Sequence, residues 1–266
     1  MSLPQLRRSL LDERWIVLWF GLGLAVYGLF VASFWPTFKQ NVAAYAQFIS
    51  AFPEPLIRAF GISDFSRFTG FIGTEYLNFM WPLIACVFVI MAGSATVAGE
   101  VDRGTVELWL SVPQSRWRLL AAKHAAILAG IAILAAVTAA AVALAARVSD
   151  ETLAVGGLLA MGIVQASFCI AVAGYSVFFS ALVSSRGAAA GLAASVTLAS
   201  YLAGVVSAFS SDVDWLRYVA LTSAFHPQQA LVDGHVEAGE VAVLLVLGLT
   251  GSLGALVAFQ RRDANP

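Results

Sequence analysis

Six long stretches of the chain contain no charged side chain. They cover residues 15–38, 76–99, 125–146, 152–185, 187–211 and 241–260. A helix needs about 20 apolar residues to cross a hydrocarbon core about 30 Å thick, and every stretch reaches that length. Their Ala, Leu, Val and Gly residues show no sustained alternation, which argues against barrel strands. The pattern therefore predicts an all-α integral membrane protein with six transmembrane helices.

We expect these helices to form a single transmembrane domain over residues 1–266. We place them at about 15–36, 75–98, 120–146, 155–183, 187–210 and 240–260. The fourth stretch, 152–185, is too long for one upright helix and too short for two helices with a turn. A tilted helix with an added segment along one membrane interface is the simplest arrangement.

The distribution of Lys and Arg predicts which side of the membrane each loop faces. With the N-terminus inside, ten of the 15 basic residues are internal, namely Arg7, Arg8, Arg14, Arg103, Arg116, Arg118, Lys123, Arg186, Arg261 and Arg262. The other five are external, namely Lys39, Arg58, Arg67, Arg147 and Arg217. Basic residues concentrate in cytoplasmic loops. Both termini, and the loop between helices 2 and 3, are therefore predicted to be cytoplasmic.

Three segments outside the six stretches also carry a pattern. In residues 2–14, leucines recur every three or four positions between arginines, which predicts an amphipathic N-terminal helix at the inner membrane surface. A disordered basic tail is the alternative. In residues 35–74, an apolar stripe that ends at Pro53 predicts a helix at the outer interface. The outer segment 212–239 is aromatic and weakly charged, and we expect it to dip toward the membrane.

The composition agrees with a membrane protein, since 60% of the residues are hydrophobic and 12% are charged. A soluble domain has about 45–50% apolar and about 25% charged residues. The net charge of −1 gives no reason to expect nucleic-acid binding. Cys86 and Cys169 lie inside predicted helices, where buried thiols behave as small hydrophobic groups.

Several kinds of chemistry are missing from the sequence. A Walker phosphate loop needs Gly-Lys before Ser or Thr, whereas Lys39 follows Phe and Lys123 follows Ala. The chain also lacks a zinc-protease helix and a serine-hydrolase elbow. His226, Asp233, His235 and Glu237 share an outer loop, but their spacing matches no metal signature, so we expect no metal site. The predicted spans hold almost no ionisable residue, which argues against coupling to an ion gradient.

One charged segment, VAGEVDRGTVELWLSVPQSRWRLLAAK at residues 97–123, separates two apolar stretches. On a helical wheel, Glu100, Arg103, Gly104 and Glu107 share one face, opposite Val101, Thr105, Leu108 and Trp109. Alternatively, Gly104 ends helix 2 and Thr105 caps a short new helix. Both interpretations give a short amphipathic element before Pro113. An ordinary topology-setting loop would explain the basic residues, but not the acidic residues or the exposed apolar ones.

This segment resembles the first cytoplasmic loop of type-2 permeases of ATP-binding-cassette (ABC) transporters. The shared pattern is Gly-Glu, Arg-Gly-Thr, a glutamate, a leucine-rich turn, a proline and Ser-Arg. The matching positions are Gly99, Glu100, Arg103, Gly104, Thr105, Glu107, Leu108, Leu110, Pro113, Ser115 and Arg116. Val101 and Trp109 depart from the pattern, where an acid and a Leu are common. The six spans and the flanking segments also resemble that family's layout.

The resemblance implies the permease subunit of an ABC exporter, with a coupling helix between helices 2 and 3. ATP hydrolysis is then expected in a separate ATPase chain, and this chain itself is no enzyme and holds no cofactor. Two ATPase copies, which bind ATP and Mg²⁺, would pair with two permease chains, either identical or different. The implied location is the cytoplasmic membrane of a prokaryote. The alternative is a secondary carrier, or a membrane scaffold or enzyme without an ATPase partner.

The resemblance also implies roles for individual residues. The expected contacts with the ATPase come from Glu100, Arg103, Gly104, Thr105, Glu107, Leu108, Trp109, Pro113 and Arg116. Among them, Glu100, Arg103 and Glu107 would make charged contacts, while Leu108 and Trp109 would fill an apolar hollow on the partner.

Overall fold

The computed structural model describes residues 3–59, 66–104, 115–209 and 211–261. Over these ranges the chain is helical without a β-strand, and six helices are long and apolar enough to cross a membrane. The predicted all-α membrane architecture is confirmed. We use "inner end" for the end of the bundle that bears Glu100 and Lys123, and "outer end" for the one that bears Lys39 and Glu151. These names follow the predicted topology.

The helices follow one another in a simple order along the chain. The first span is α1 (Leu3–Ser33), followed by the short outer helices α2 (Trp35–Gln40), α3 (Val42–Ser50) and α4 (Glu54–Ala59). The second span joins α5 (Phe68–Ile72), a π-helix (Gly73–Met80) and α6 (Trp81–Ser94), and leads to α7 (Ala98–Asp102). The third, fourth and fifth spans are α8 (Arg116–Val148), α9 (Val155–Leu182) and α10 (Arg186–Ser207). Two 3₁₀ turns (Ser211–Tyr218 and Leu221–Ala224) and α11 (Pro227–Asp233) precede the sixth span, α12 (Ala238–Arg261).

Two details differ from the sequence-based expectation. The N-terminal segment is helical as predicted, but α1 runs from Leu3 to Ser33 without a break before the first span. The fourth stretch forms the single helix α9 of 28 residues, with no separate interfacial segment inside it. At 1.5 Å per residue α9 is about 42 Å long. Tilting accommodates a helix that exceeds the hydrocarbon thickness.

The helix α9 lies at the centre of the bundle and contacts α6, α8, α10, α11 and α12. Its closest neighbour is α12, because glycines on both helices remove the side chains that would hold the backbones apart. A Cβ atom added at Gly174 would overlap the carbonyl oxygen of Gly248. One added at Gly248 would lie 2.6 Å from the carbonyl oxygen of Ile170. The small residues of these two helices therefore determine their separation.

The π-helix ends two residues before a proline, Pro82. Pro82 has no N–H to donate to the carbonyl four residues earlier, which favours a local change of helix type. Side chains of the wider turn contact other elements: the Tyr76 hydroxyl donates to the Leu24 carbonyl oxygen at 2.9 Å. The Asn78 amide donates to Gln228 Oε1 of α11 at 3.0 Å. The π-helix thus connects the second span to the first span and to the outer segment.

At the outer end, an ion pair joins α2 to the loop between α8 and α9. Lys39 Nζ lies 2.8 Å from Glu151 Oε1, which also accepts a hydrogen bond from Trp35 Nε1 at 3.1 Å. The hydrogen bond from Lys39 holds the pKa of the Glu151 carboxyl below its usual range. Phe68 and Phe71 pack against Trp35, so the ion pair covers an aromatic cluster.

The outer segment between α10 and α12 folds back against the bundle. The Phe225 ring is buried, with its centroid 4.4 Å from that of Phe168 and 6.1 Å from that of Trp81. The Leu221 N–H donates to Ser200 Oγ at 2.7 Å. Ser200 lies about two turns before the end of α10. The segment therefore extends from the outer end along the sides of the spans. Its aromatic composition led us to expect this path.

The glycine contact predicts a stability difference between two positions of α9. Gly174→Ala forces a methyl group against the backbone of α12, and overpacking of this kind typically costs about 1–3 kcal/mol. Gly162→Ala is the matched control, since a Cβ there meets nothing within 4 Å. We expect a lower thermal midpoint in detergent for Gly174→Ala and an unchanged or higher one for Gly162→Ala. Equal midpoints would contradict close packing of α9 on α12.

Candidate functional site

The structure describes part of the predicted coupling loop. Glu100 belongs to α7, Arg103 and Gly104 follow it, and the backbone of Arg116 begins α8. The other predicted contact residues, Thr105, Glu107, Leu108, Trp109 and Pro113, lie outside the described residues, as does the Arg116 side chain.

The inner end of the second span contains a break that is held by a side chain of α9. The helix α6 ends at Ser94, and α7 begins at Ala98. Ser180 Oγ accepts hydrogen bonds from the N–H groups of Val97 and Ala98, at 3.0 and 2.9 Å, and donates to the Ser94 carbonyl oxygen at 2.9 Å. Helix ends leave such backbone groups without partners inside the helix. One buried hydroxyl satisfies three of them, and so fixes the break against α9.

A buried ion pair fixes α7 against α8. Glu100 is only 7% exposed, and its Oε1 lies 2.6 Å from Lys123 Nζ and 2.6 Å from Arg103 Nη2. Lys123 also donates to the Thr96 carbonyl oxygen at 3.2 Å. Charges taken out of water need such partners, because burial removes their hydration. The carboxylate is thus compensated within the chain.

The two cations that contact Glu100 differ in exposure. The Lys123 side chain is 17% exposed, whereas that of Arg103 is 55% exposed. An exposed ion pair contributes little to stability because water screens it. Loss of one partner from a buried pair is costly. Lys123 is therefore the main structural partner of Glu100, and Arg103 keeps part of its guanidinium free for other contacts.

The first span, α1, also approaches the Glu100–Lys123 pair. Glu13 of α1 is close enough to Lys123 for electrostatic attraction, and its Oε2 is buried without a hydrogen-bond partner among the described residues. On the other side, the Arg186 guanidinium donates to the Met91 carbonyl oxygen at 3.3 Å. The inner ends of five spans therefore meet around α7.

Gly104 ends this arrangement with a left-handed turn. Its φ is +69°, a conformation that favours glycine and commonly follows the end of a helix. One uninterrupted helix over residues 100–110 is incompatible with this conformation. Of the two interpretations of the sequence, the one in which Gly104 ends a helix agrees with the structure at this point.

Two residues of the site were missed by sequence reasoning. Lys123 was interpreted only as a topology signal, although it is one of two lysines and follows Glu100 by 23 positions. Ser180 carries no sequence signal, since serines are frequent near helix ends. Within the chain, the Glu100 carboxylate contacts Lys123 and Arg103, and its expected contact with a partner protein stays a prediction.

The outer histidine His226 contacts a carboxylate. His226 Nδ1 lies 3.1 Å from Glu240 Oε1. Within the part of the chain that the structure describes, no group of three or more His, Cys, Asp or Glu residues could hold a metal ion.

Comparison with known proteins gives one match over most of the chain. A family model described as "ABC-2 family transporter protein" matches residues 16–264. None of the curated proteins matches the chain. The matched range includes all six spans except the first part of α1, and it includes Glu100, Lys123 and Ser180.

The buried pair predicts non-additive effects on stability. Lys123→Met and Glu100→Met each remove one partner, and breaking a buried pair typically costs about 3–5 kcal/mol. The double variant removes both charges and should regain most of the lost stability, because neither charge is then left buried alone. Thermal unfolding of the purified protein measures this cycle, with the exposed Arg118→Met as the control. Losses that simply add in the double variant would rule out the pair.

Proposed function

Because the chain belongs to the ABC-2 family of transporter proteins, we propose that it is the permease subunit of an exporter that is driven by a separate ATPase. The family makes it the membrane component of an ABC transporter. The ATPase would bind ATP and Mg²⁺ and would dock beneath the inner end. This location corresponds to the cytoplasmic side of a prokaryotic cell membrane in the predicted topology.

The attachment of α7 to the bundle carries this proposal. Ser180 fixes the start of α7 to α9, and the Glu100–Lys123 pair fixes its middle to α8. A loop that receives force from a partner must be joined firmly to the helices that it moves. A loop that only set the topology would need neither the buried carboxylate nor the hydroxyl. The arrangement therefore supports a coupling role.

The proposal divides the predicted contact residues into two groups. Glu100 positions the loop from inside, because its carboxylate is buried against Lys123. Arg103 is the described side chain that remains half exposed for the ATPase. The remaining contacts are assigned to residues of the following segment, namely Gly104, Thr105, Glu107, Leu108, Trp109, Pro113 and Arg116. In this arrangement Glu107 makes a charged contact and Trp109 an apolar one.

Reversing the charge of Glu107 tests the docking role. A buried interface charge costs about 2–5 kcal/mol when its partner is left unpaired, which is roughly 30-fold to several thousand-fold in affinity. We expect Glu107→Arg to weaken co-purification of the ATPase while expression and membrane insertion stay near wild type. Arg118→Ala is the control, because a topology-setting loop would depend on the basic residues instead. Normal docking and transport in Glu107→Arg would exclude the coupling role.

The double variant Glu100→Met with Lys123→Met separates the two roles of Glu100. An internal positioning role predicts that the folded double variant retains ATPase docking, because the remaining contact residues keep their place. Direct contact between Glu100 and the ATPase predicts a loss of docking that is as large as in Glu107→Arg.

A complete exporter needs two permease chains, since six spans form half of a transport path. Three glycines of the second and fifth spans, Gly93, Gly191 and Gly204, are candidates for close contact between chains. Their surroundings in the structure differ. A Cβ at Gly93 would lie 2.6 Å from Ser176 Cβ, and one at Gly204 would overlap Thr222, so both glycines serve packing inside the chain. Gly191 of α10 is exposed, and a Cβ there meets nothing within 4 Å.

The exposed positions of α10 combine Leu and Val residues with several small residues in its first half. Exposed positions of α12 are mostly Leu and Val, as suits contact with lipid chains. Exposed positions of α10 include Gly187, Gly191, Ala194 and Ser195, and small residues favour close packing of helices in membranes. We therefore assign the face of α10 around Gly191 to the contact with the second permease chain.

A bulky residue at Gly191 tests this assignment. Gly191→Trp should lower the fraction of cross-linked permease dimers, because the ring would hold the two backbones apart. Val246→Trp, at an exposed position of α12, is the matched control and should leave the dimer fraction unchanged. Equal dimer fractions in wild type and Gly191→Trp would exclude this face as the interface.

A further inference from the structure

We infer that α9 transmits movement of the inner loop to the outer segment, and that Ser180 is the positioning residue that connects the loop to this helix. The inference rests on the proposed function, since it needs an ATPase that moves the loop. It adds the helix that carries the movement across the membrane and a residue on which the coupling depends.

The inner connection is made by backbone groups. Ser180 Oγ contacts the backbone of Ser94, Val97 and Ala98, which together form the break between α6 and α7. Side-chain contacts can exchange partners when a loop moves, but these three bonds hold the main chain itself. Ser180 is fully buried, so water does not compete for the three bonds. A displacement of α7 must therefore either break them or move α9.

The helix between the two ends is continuous. It runs from Val155 to Leu182 as one α-helix, without proline or a change of helix type. Kinks arise at proline, at Gly/Ser pairs, at π-bulges or where a side chain enters the backbone ladder, and α9 remains one α-helix through Gly174 and Ser176. Ser180 lies 12 positions from Phe168 and 23 from Gly157, which is about 18 and 35 Å along the axis. The helix can therefore carry displacement over most of the membrane thickness.

The outer half of α9 is in contact with the outer segment at two levels. The Phe168 ring packs on the Phe225 ring at 4.4 Å between centroids. A Cβ at Gly157 would overlap the carbonyl oxygen of Leu231 in α11, so the two backbones touch. A shift or tilt of α9 must change these contacts. The outer segment is thereby linked to α7, although the two lie at opposite ends of the bundle.

A single cysteine can report whether the outer segment moves. Ala230 of α11 is buried, whereas Val232 of the same helix is exposed. With Cys86 and Cys169 replaced by Ala, a cysteine at position 230 reacts with a water-soluble maleimide only when the segment leaves the bundle. A cysteine at position 232 reacts in every state and controls for access of the reagent. Labelling rates are compared without nucleotide and after trapping with ATP and vanadate, in nanodiscs that contain the co-purified ATPase.

Two serines of α9 provide matched variants. Ser180 and Ser176 are one turn apart and both fully buried, but the Ser176 hydroxyl donates to the Val172 carbonyl oxygen of its own helix. We expect Ala230→Cys labelling to depend on the nucleotide state in the parent chain and in Ser176→Ala. The dependence should be lost in Ser180→Ala while ATPase binding is retained. Phe225→Leu, at the other end of the route, should also lose it without any change at the inner end.

The outcomes separate the inference from the proposed function. Failure of the parent chain to bind an ATPase would overturn the proposed function, and the inference with it. Nucleotide-dependent labelling that persists in Ser180→Ala, with the ATPase bound, would overturn the inference alone. The same loss in Ser176→Ala would also overturn it, because any buried hydroxyl of α9 would then have the same effect.

Discussion

The inner end of this protein depends on one constraint: a helix that is interrupted among apolar helices must find new partners for its backbone groups. After Ser94 the chain interrupts the second span, and a single hydroxyl, that of Ser180, supplies three of the missing hydrogen bonds. The position of α7 follows from this, because the break cannot move away from α9. The burial of Glu100 follows in turn, since a fixed α7 holds its carboxylate against Lys123.

Close packing of α9 extends this constraint to the rest of the bundle. Glycines such as Gly174 and Gly248 let the backbones of α9 and α12 touch, so the two helices have little room to slide or separate. Protein interiors with few voids transmit displacement and do not absorb it. The same helix contacts α11 near Gly157. A helix that is fixed at its inner end, along one side and at its outer end can only move together with its neighbours.

The sequence was sufficient for the parts of the structure that depend on the length and hydrophobicity of segments. Six uncharged runs predicted six spans, and Gly104 predicted the end of a helix, because a left-handed turn is a local property. The fourth helix, placed at 155–183, is α9 at Val155–Leu182, but the length of an apolar run does not determine how far a helix tilts. The partner of Glu100 was not predictable either. It lies on another helix 23 positions further along the chain, and only the tertiary fold brings the two charges together.

The distribution of charge supports the proposed energy source outside the membrane. Glu100 and Lys123 are neutralised by each other at the inner end, and Lys39 and Glu151 do the same at the outer end. Such fixed pairs hold loops in place, and they offer no route for an ion, which would need polar groups at successive depths. Under the proposed function, work on a substrate enters through a mechanical contact. The inner loop is suited to receive it, because its backbone is bonded to one spanning helix and its buried carboxylate to another.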